Sequence, residues 1–176
     1  MSKKGKVLMA MSGGIDSTVA ALMLHKEGYE VVGITMKTWD YASSVGTSGK
    51  KETGCCNLDS FNDARQAAVH HGFPHFILDI REEFGDFVIE NFVEEYLAGR
   101  TPNPCVMCNT HIKWRALLKR ADAMGCDFIA TGHYAQVLQH DNGRYFIRKG
   151  IDDTKDQSYA LWGLQQDLLS RTLLPL

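Results

Sequence analysis

No apolar run in this 176-residue chain is longer than a handful of positions, which excludes a membrane-spanning helix. Val7 to Met11, behind Lys3, Lys4 and Lys6, is too short for a signal peptide's hydrophobic region, and no cleavage site follows. A cytoplasmic protein with no membrane partner is expected. Charge of one sign is also scarce: 19 Lys and Arg against 21 Asp and Glu leave a net charge of -2. No global field draws nucleic acid in, so any RNA site has to be a local basic patch. Apolar residues reach 44% and charged ones 23%, which suits one globular domain with a real core and excludes disordered and fibrous classes. Cysteines number only five. Cys55 and Cys56 are adjacent, and Cys105 and Cys108 form a C-x-x-C. In a reducing compartment such spacing points to thiol or metal chemistry rather than a disulfide framework.

Four short segments rich in Val, Ile, Phe or Met read as buried strands: Lys6 to Met11, Glu30 to Met36, His75 to Ile80 and Asp127 to Thr131. Helical patterns lie between them. Ser17 begins one, with Val19, Leu22 and Met23 on a shared face and Gly28 at its end. Ser60 caps a second, with Asp63 at the capping-box position and Gly72 and Pro74 as the stop. Phe84, Val88, Phe92 and Tyr96 stripe a third, whose acidic residues Glu82, Glu83, Asp86, Glu90, Glu94 and Glu95 read as its solvated face. Trp114, Leu117, Leu118, Ala121 and Met124 stripe a fourth that stops at Gly125. Strands alternating with helices predict an α/β fold, a doubly wound parallel sheet with ligand at the carboxyl ends of its strands. Ala42 to Thr53 reads as a loop over that edge, and residues 135–150 read as a hairpin turning at Asp141-Asn142-Gly143. Leu173 to Leu176 end the chain on apolar residues, as though more protein should follow.

The first strand runs into Ser12-Gly13-Gly14-Ile15-Asp16-Ser17 and then a helix. Two glycines allow a tight turn and close backbone approach, while helix-start amides and the hydroxyls of Ser12 and Ser17 face an anion. Neither the Walker A spacing nor G-x-G-x-x-G is present. The plainer alternative is a glycine turn with Asp16 or Ser17 as helix cap. Asp16 beside phosphates is repulsive unless a cation such as Mg²⁺ intervenes.

Gly99 to Asn109 reads G-R-T-P-N-P-C-V-M-C-N, between two helices. Its prolines stiffen the segment, and Cys108 beside a helix start should have its thiol pKa lowered, which makes it a candidate nucleophile. A zinc knuckle of Cys105, Cys108, His111 and one of Cys55 or Cys56 is the structural alternative. His25, His70, His71 and His140 read as surface or partly packed histidines, and Cys126 as core.

S-G-G-I-D-S alone resembles the pyrophosphate-binding loop of the ATP-pyrophosphatase superfamily. Together with G-R-T-P-N-P-C-V-M-C-N, A-T-G-H-Y and K-D-Q-S-Y, in this order, the chain resembles the amino-terminal PP-loop domain of bacterial tRNA-specific 2-thiouridylases, the MnmA family. The resemblance spans residues 1–176 and implies an adenine nucleotide alpha hydrolase-like fold. It implies a cytoplasmic, ATP-dependent sulfurtransferase that adenylates oxygen 2 of the wobble uridine of tRNA, after which sulfur from a cysteine persulfide replaces that oxygen. ATP would be held by Ala10, Met11, Ser12, Gly13, Gly14, Ile15, Asp16 and Ser17, with Met36 at the adenine and Gly132 against the nucleotide. Asn103, Pro104 and Cys105 would surround the target base, and His133, Lys155, Asp156 and Gln157 would meet the tRNA.

Cys108 matches the family's first catalytic cysteine. Cys105 stands where some members carry an aspartate acid/base, so its catalytic part is open. The cysteine that bears the persulfide, and the carboxy-terminal tRNA-binding domains, lie in parts of the family that this chain lacks. The fragment alone is therefore expected to be inactive. The implied partners are tRNA and a sulfur-relay or cysteine desulfurase protein as sulfur donor. In a full-length protein Cys105 and Cys108 are also candidate iron-sulfur ligands. Two other readings stay open: an ATP-binding or metal module without turnover, and another PP-loop tRNA thiolase.

Overall fold

The computed structural model describes residues 4–38 and 58–176. The strands are β1 (Lys6–Ala10), β2 (Glu30–Lys37), β3 (His75–Asp79), β4 (Phe128–Ala130), β5 (Ala135–Gln139), β6 (Tyr145–Lys149) and β7 (Thr172–Leu173). Five form one sheet in the order β3-β2-β1-β4-β7, every pair parallel. The register sets Leu8 opposite Val32 on one side and Ile129 on the other. β1 is buried on both faces and reads as a continuous apolar run for that reason. Leu8 packs with Val32, Ile34, Trp114 and Leu117, while Val7 and Met9 pack with Ala20, Ala21, Leu24 and Ala64. The doubly wound expectation holds, and the four expected strands agree with the observed ones to within a residue at each end. Among the described residues no helix is long and apolar enough to cross a membrane.

Helix α1 (Ile15–Lys26) starts two residues before Ser17, with Gly14 as its N-cap and no capping side chain. Its buried face is Ser17, Ala20, Ala21 and Leu24 rather than Val19, Leu22 and Met23, since Val19 and Met23 are exposed. Small side chains let the helix approach the sheet closely and leave the larger ones on its flank. Helix α2 (Leu58–His70) already includes Ser60, which is therefore not its cap. The helix does stop at Gly72, where φ is +77°. The segment Ala42 to Thr53, Cys55 and Cys56 lie outside the described residues.

After β3 the chain runs through α3 (Arg81–Phe84), a π turn (Gly85–Ile89) and α4 (Glu90–Leu97). The stripe expected there is split. Val88 is buried with Ile80 and Ile112, whereas Phe92 and Tyr96 are exposed, because the wider turn shifts the phase of the helix beyond it. Glu82, Glu83, Glu90 and Glu94 are solvated as expected, while Glu95 takes two bonds from Arg100. The cysteine motif opens α5 (Pro104–Met107), passes through a second π turn (Cys108–Lys113) and continues as α6 (Trp114–Ala123). β5 and β6 pair antiparallel as the expected hairpin. A 3-10 turn (Ser158–Ala160) and α7 (Gln166–Leu169) lead into β7, an unforeseen strand. The apolar end is thus part of the sheet: Thr172 and Leu173 pair with Ile129 and Ala130, and Leu174 and Leu176 pack on the two core clusters.

Candidate functional site

In this strand order β1 has β2 on one side and β4 on the other, and ligands bind open α/β sheets in the crevice where the winding reverses. A cavity of about 390 Å³ opens there. Its floor is the carboxyl ends of strands: Ala10 ending β1 with Met11 and Ser12 after it, Thr35 and Met36 on β2 with Thr38 after it, and Thr131, Gly132 and His133 after β4. Ile80, Phe84, Cys108, Lys113 and Gln157 complete its lining, with Cys108 and Phe84 packed against the Ile80 cluster.

The Ser12–Ser17 turn is held by its own hydroxyls. The Ser12 amide donates to Ser17 Oγ at 3.1 Å, and Ser17 Oγ donates to the Gly14 carbonyl at 3.0 Å. Because Gly14 is a cap without a side chain, the first-turn amides of α1 are left for an anion. Gly13 has φ of +81°, and a Cβ there would overlap the backbone of Ser60. Gly132 lies against the same turn, where an added Cβ would come within 3.0 Å of Ser17 N and Cα. Two glycines from distant strands thus keep a backbone-lined cradle narrow and open.

Asp16 is the only carboxylate lining the cavity among the described residues. Its Oδ1 accepts the Tyr134 hydroxyl at 2.8 Å, and Lys155 Nζ lies 3.4 Å from that hydroxyl and 4.9 Å above the ring. These contacts hold the Lys155 ammonium above the usual lysine range, the bond to Tyr134 contributing most and Asp16 adding to it. The K-D-Q segment is clamped to G-H-Y: Gln157 N donates to the Tyr134 carbonyl at 2.9 Å, and Tyr134 N donates to Gln157 Oε1 at 3.1 Å. Asp156 accepts from the Gly150 and Ser158 amides and from Ser158 Oγ, which lowers its pKa. His133 shares a 2.7 Å bond between Nδ1 and Thr131 Oγ1, and its ring lies 5.5 Å from Trp114. Burial, with the nearby Lys113 charge, drops its pKa to about 3, so the imidazole is neutral at physiological pH.

Of the residues expected from sequence, Ala10, Met11, Ser12, Asp16, Ser17, Met36, Gly132, His133, Cys108 and Gln157 line this one cavity. Gly13 and Gly14 shape the turn from behind, and Ile15 points out, 82% exposed. Asn103 caps α5 by accepting the Val106 amide at 3.2 Å, and Pro104 is the first helical residue. Cys105 is exposed on that turn, outside the cavity. Cys108 does not sit at a helix start: it lies a turn further on, in the π segment, beyond the reach of a first-turn dipole. Cys126 is buried, and burial raises its thiol pKa; His25, His70, His71 and His140 are exposed.

Among the described residues no three His, Cys, Asp or Glu converge on a metal site. The zinc alternative draws on Cys55 or Cys56, which lie outside the described residues, and the iron-sulfur expectation concerns a full-length protein. Sequence reasoning missed Thr35, Thr131, Ile80, Phe84 and above all Lys113, which lines the cavity half-buried.

A family profile described as tRNA methyl transferase HUP domain matches residues 5–176. A protein named tRNA-specific 2-thiouridylase MnmA from Amoebophilus asiaticus is 71% identical over 99% of this chain and 46% of its own length. Its namesake from Cytophaga hutchinsonii is 71% identical over 100% of this chain and 47% of its own, and one from Salinibacter ruber is 64% identical over 100% and 46%. The chain spans about half the length of the curated relatives it matches. With the profile covering nearly every residue, on a parallel sheet whose switch point carries the glycine turn, the chain belongs to the tRNA methyl transferase HUP domain family.

Proposed function

We propose that this domain binds Mg²⁺-ATP at the β1-α1 turn and serves ATP-dependent 2-thiolation of the wobble uridine of tRNA. The observation that carries this reading is one cavity lined by an anion cradle, a carboxylate and the thiol of Cys108. The cradle suits a pyrophosphate, because Gly13 and Gly132 leave the room that a Cβ would fill and Gly14 leaves the amides of α1 uncapped. Magnesium commonly takes one or two carboxylates with phosphate oxygens and water, and Asp16 fits that donor set. The metal would supply charge neutralisation between the phosphates.

In the proposed reaction the uracil 2-oxygen attacks the α-phosphorus, the bond to the bridging oxygen breaks, and pyrophosphate leaves. The terminal sulfur of a cysteine persulfide then adds at C2 and AMP departs. Cys108 attacks the sulfur of the carrier cysteine, which breaks the sulfur-sulfur bond, leaves the sulfur on the base and pairs the two cysteines as a disulfide. This reading assigns the carrier cysteine and further tRNA contacts to the half of the relatives' length not spanned here, with sulfur delivered by a separate sulfur-relay or desulfurase protein. Neutral His133 offers a hydrogen bond rather than a charge to the RNA.

The family's descriptor and the relatives' names differ in reaction, and one product separates them. Thiolation through adenylation releases pyrophosphate when tRNA is added, whereas methyl transfer from a methyl donor releases none. The test is tRNA-dependent pyrophosphate release by the full-length protein, with calorimetry of Mg²⁺-ATP on this chain. ATP binding without turnover under any tRNA would favour a sensing module and defeat the proposal.

A further inference from the structure

Cys108 and Lys113 are five positions apart. In an α-helix at about 100° per residue they would diverge by about 140° and face different surroundings. Both nevertheless line the cavity, because Cys108–Lys113 is a π turn. Bonding from i to i+5 takes about 4.4 residues per turn and brings such a pair to within about 50°. A π turn is rare in globular proteins and tends to mark functional positions. The one here has a definite product, a thiol and an ammonium lining one cavity.

Lys113 is half-buried and makes no ion pair among the described residues. Asp16, the one carboxylate lining the cavity among the described residues, is bonded to Tyr134. A part-buried cation without a counter-ion is costly to maintain unless an anion is to come. The amides of the Ser12–Ser17 turn can hold one end of a triphosphate. Cys108 has to reach a base carbon that is joined through oxygen to the phosphorus at the other end. A cation carried on the same turn as Cys108 belongs at that phosphorus.

We infer that Lys113 is the α-phosphate ligand of this cavity, bonding the non-bridging oxygens of the phosphoryl group between adenosine and the pyrophosphate. This rests on the nucleotide reading above and goes beyond it by giving the reacting phosphorus a residue. As the uracil oxygen bonds to phosphorus and pyrophosphate leaves with the electron pair of the breaking bond, Lys113 keeps its proton and stabilises the charge on those oxygens. No oxidant or reductant is consumed.

Calorimetry on this chain with ATP, AMP, adenosine and pyrophosphate as separate probes tests the assignment. Lys113→Met should weaken ATP and AMP about tenfold to hundredfold, leave adenosine and pyrophosphate unchanged, and be largely rescued by Lys113→Arg. AMP affinity unchanged in Lys113→Met overturns the assignment, and so does a loss that falls on pyrophosphate or equally on adenosine, since an α-phosphate ligand touches neither. If the unaltered chain binds neither ATP nor AMP, the nucleotide reading itself has failed. If it binds both and the variant is indifferent, only the role of Lys113 has.

Discussion

Gly13 combines a positive φ with a close approach to α2, so each constraint alone disfavours a side chain. Gly13→Ala should destabilise the domain by at least about 1–3 kcal/mol, through strain in the turn and displacement of Ser60, and urea unfolding will show it. His133 makes a different demand. Its folded pKa of about 3 lies below the ordinary value of 6.5, so between those values the unfolded chain binds the extra proton. Stability should rise with pH across that window, at up to about 1.4 kcal/mol per unit, be fully present above pH 6.5 and be lost as pH falls toward 3. His133→Asn should flatten that part of the curve, and denaturation at about pH 4, 5, 6 and 7 measures it. A third residue, Tyr134, supports Asp16 with one hydroxyl bond. Tyr134→Phe should weaken Mg²⁺-ATP by about 0.5–1.5 kcal/mol, roughly twofold to just over tenfold, without changing the melting curve much.

Among the elements, β7 is two residues long yet fixes an edge of the main sheet. Trp114 Nε1 donates to Thr172 Oγ1 at 2.9 Å, and that hydroxyl donates to the Leu168 carbonyl at 2.7 Å. Trp114→Phe leaves the Thr172 oxygen short of a donor in a buried place and should cost about 1–3 kcal/mol. Amide exchange at Thr131, whose N–H reaches the Leu173 carbonyl, should accelerate with it. This strand was not legible in the sequence, because a two-residue pairing gives no period to read. The strands β1 to β4 were legible as short apolar runs between glycines and polar residues. Helix α1 was legible in place but not in orientation: alanines hold its sheet face, and hydrophobicity pointed to Val19 and Met23 instead. The two π turns were invisible for a related reason, since a search at helical spacing assumes the period that they break. The cradle itself was plain in Gly13 and Gly14, whereas Lys113 was hidden by the turn that delivers it.

At the scale of the whole molecule the net charge of -2 is unevenly spread. His111, Arg115 and Lys119 fall at every fourth position on the exposed face of the second π turn and α6, beside the exposed ring of Phe87. Arg144, Arg148, Lys149 and Lys155 belong to the hairpin and the segment after it. If tRNA rides on the α6 stripe, Arg115→Gln with Lys119→Gln should lower affinity uniformly across sequences. In the full-length protein the slope of log affinity against log salt should flatten by roughly one to two units. Filter binding from about 50 to 200 mM salt is the measurement, and an unchanged slope would move the RNA elsewhere.

The pairing of Leu8 with Ile129, and of Ile129 with Thr172, carries a kinetic consequence. Strands so distant in sequence close large loops before they gain any contact, and such closures slow folding. The Ser12–Ser17 turn can form early with α1, but the crevice beside it does not exist until Phe128–Ala130 has docked. During synthesis the cavity wall therefore waits for the last third of this chain to emerge, and a nascent polypeptide ending near Gly125 would have the Ser12–Ser17 turn without the β4 end that closes the crevice beside it.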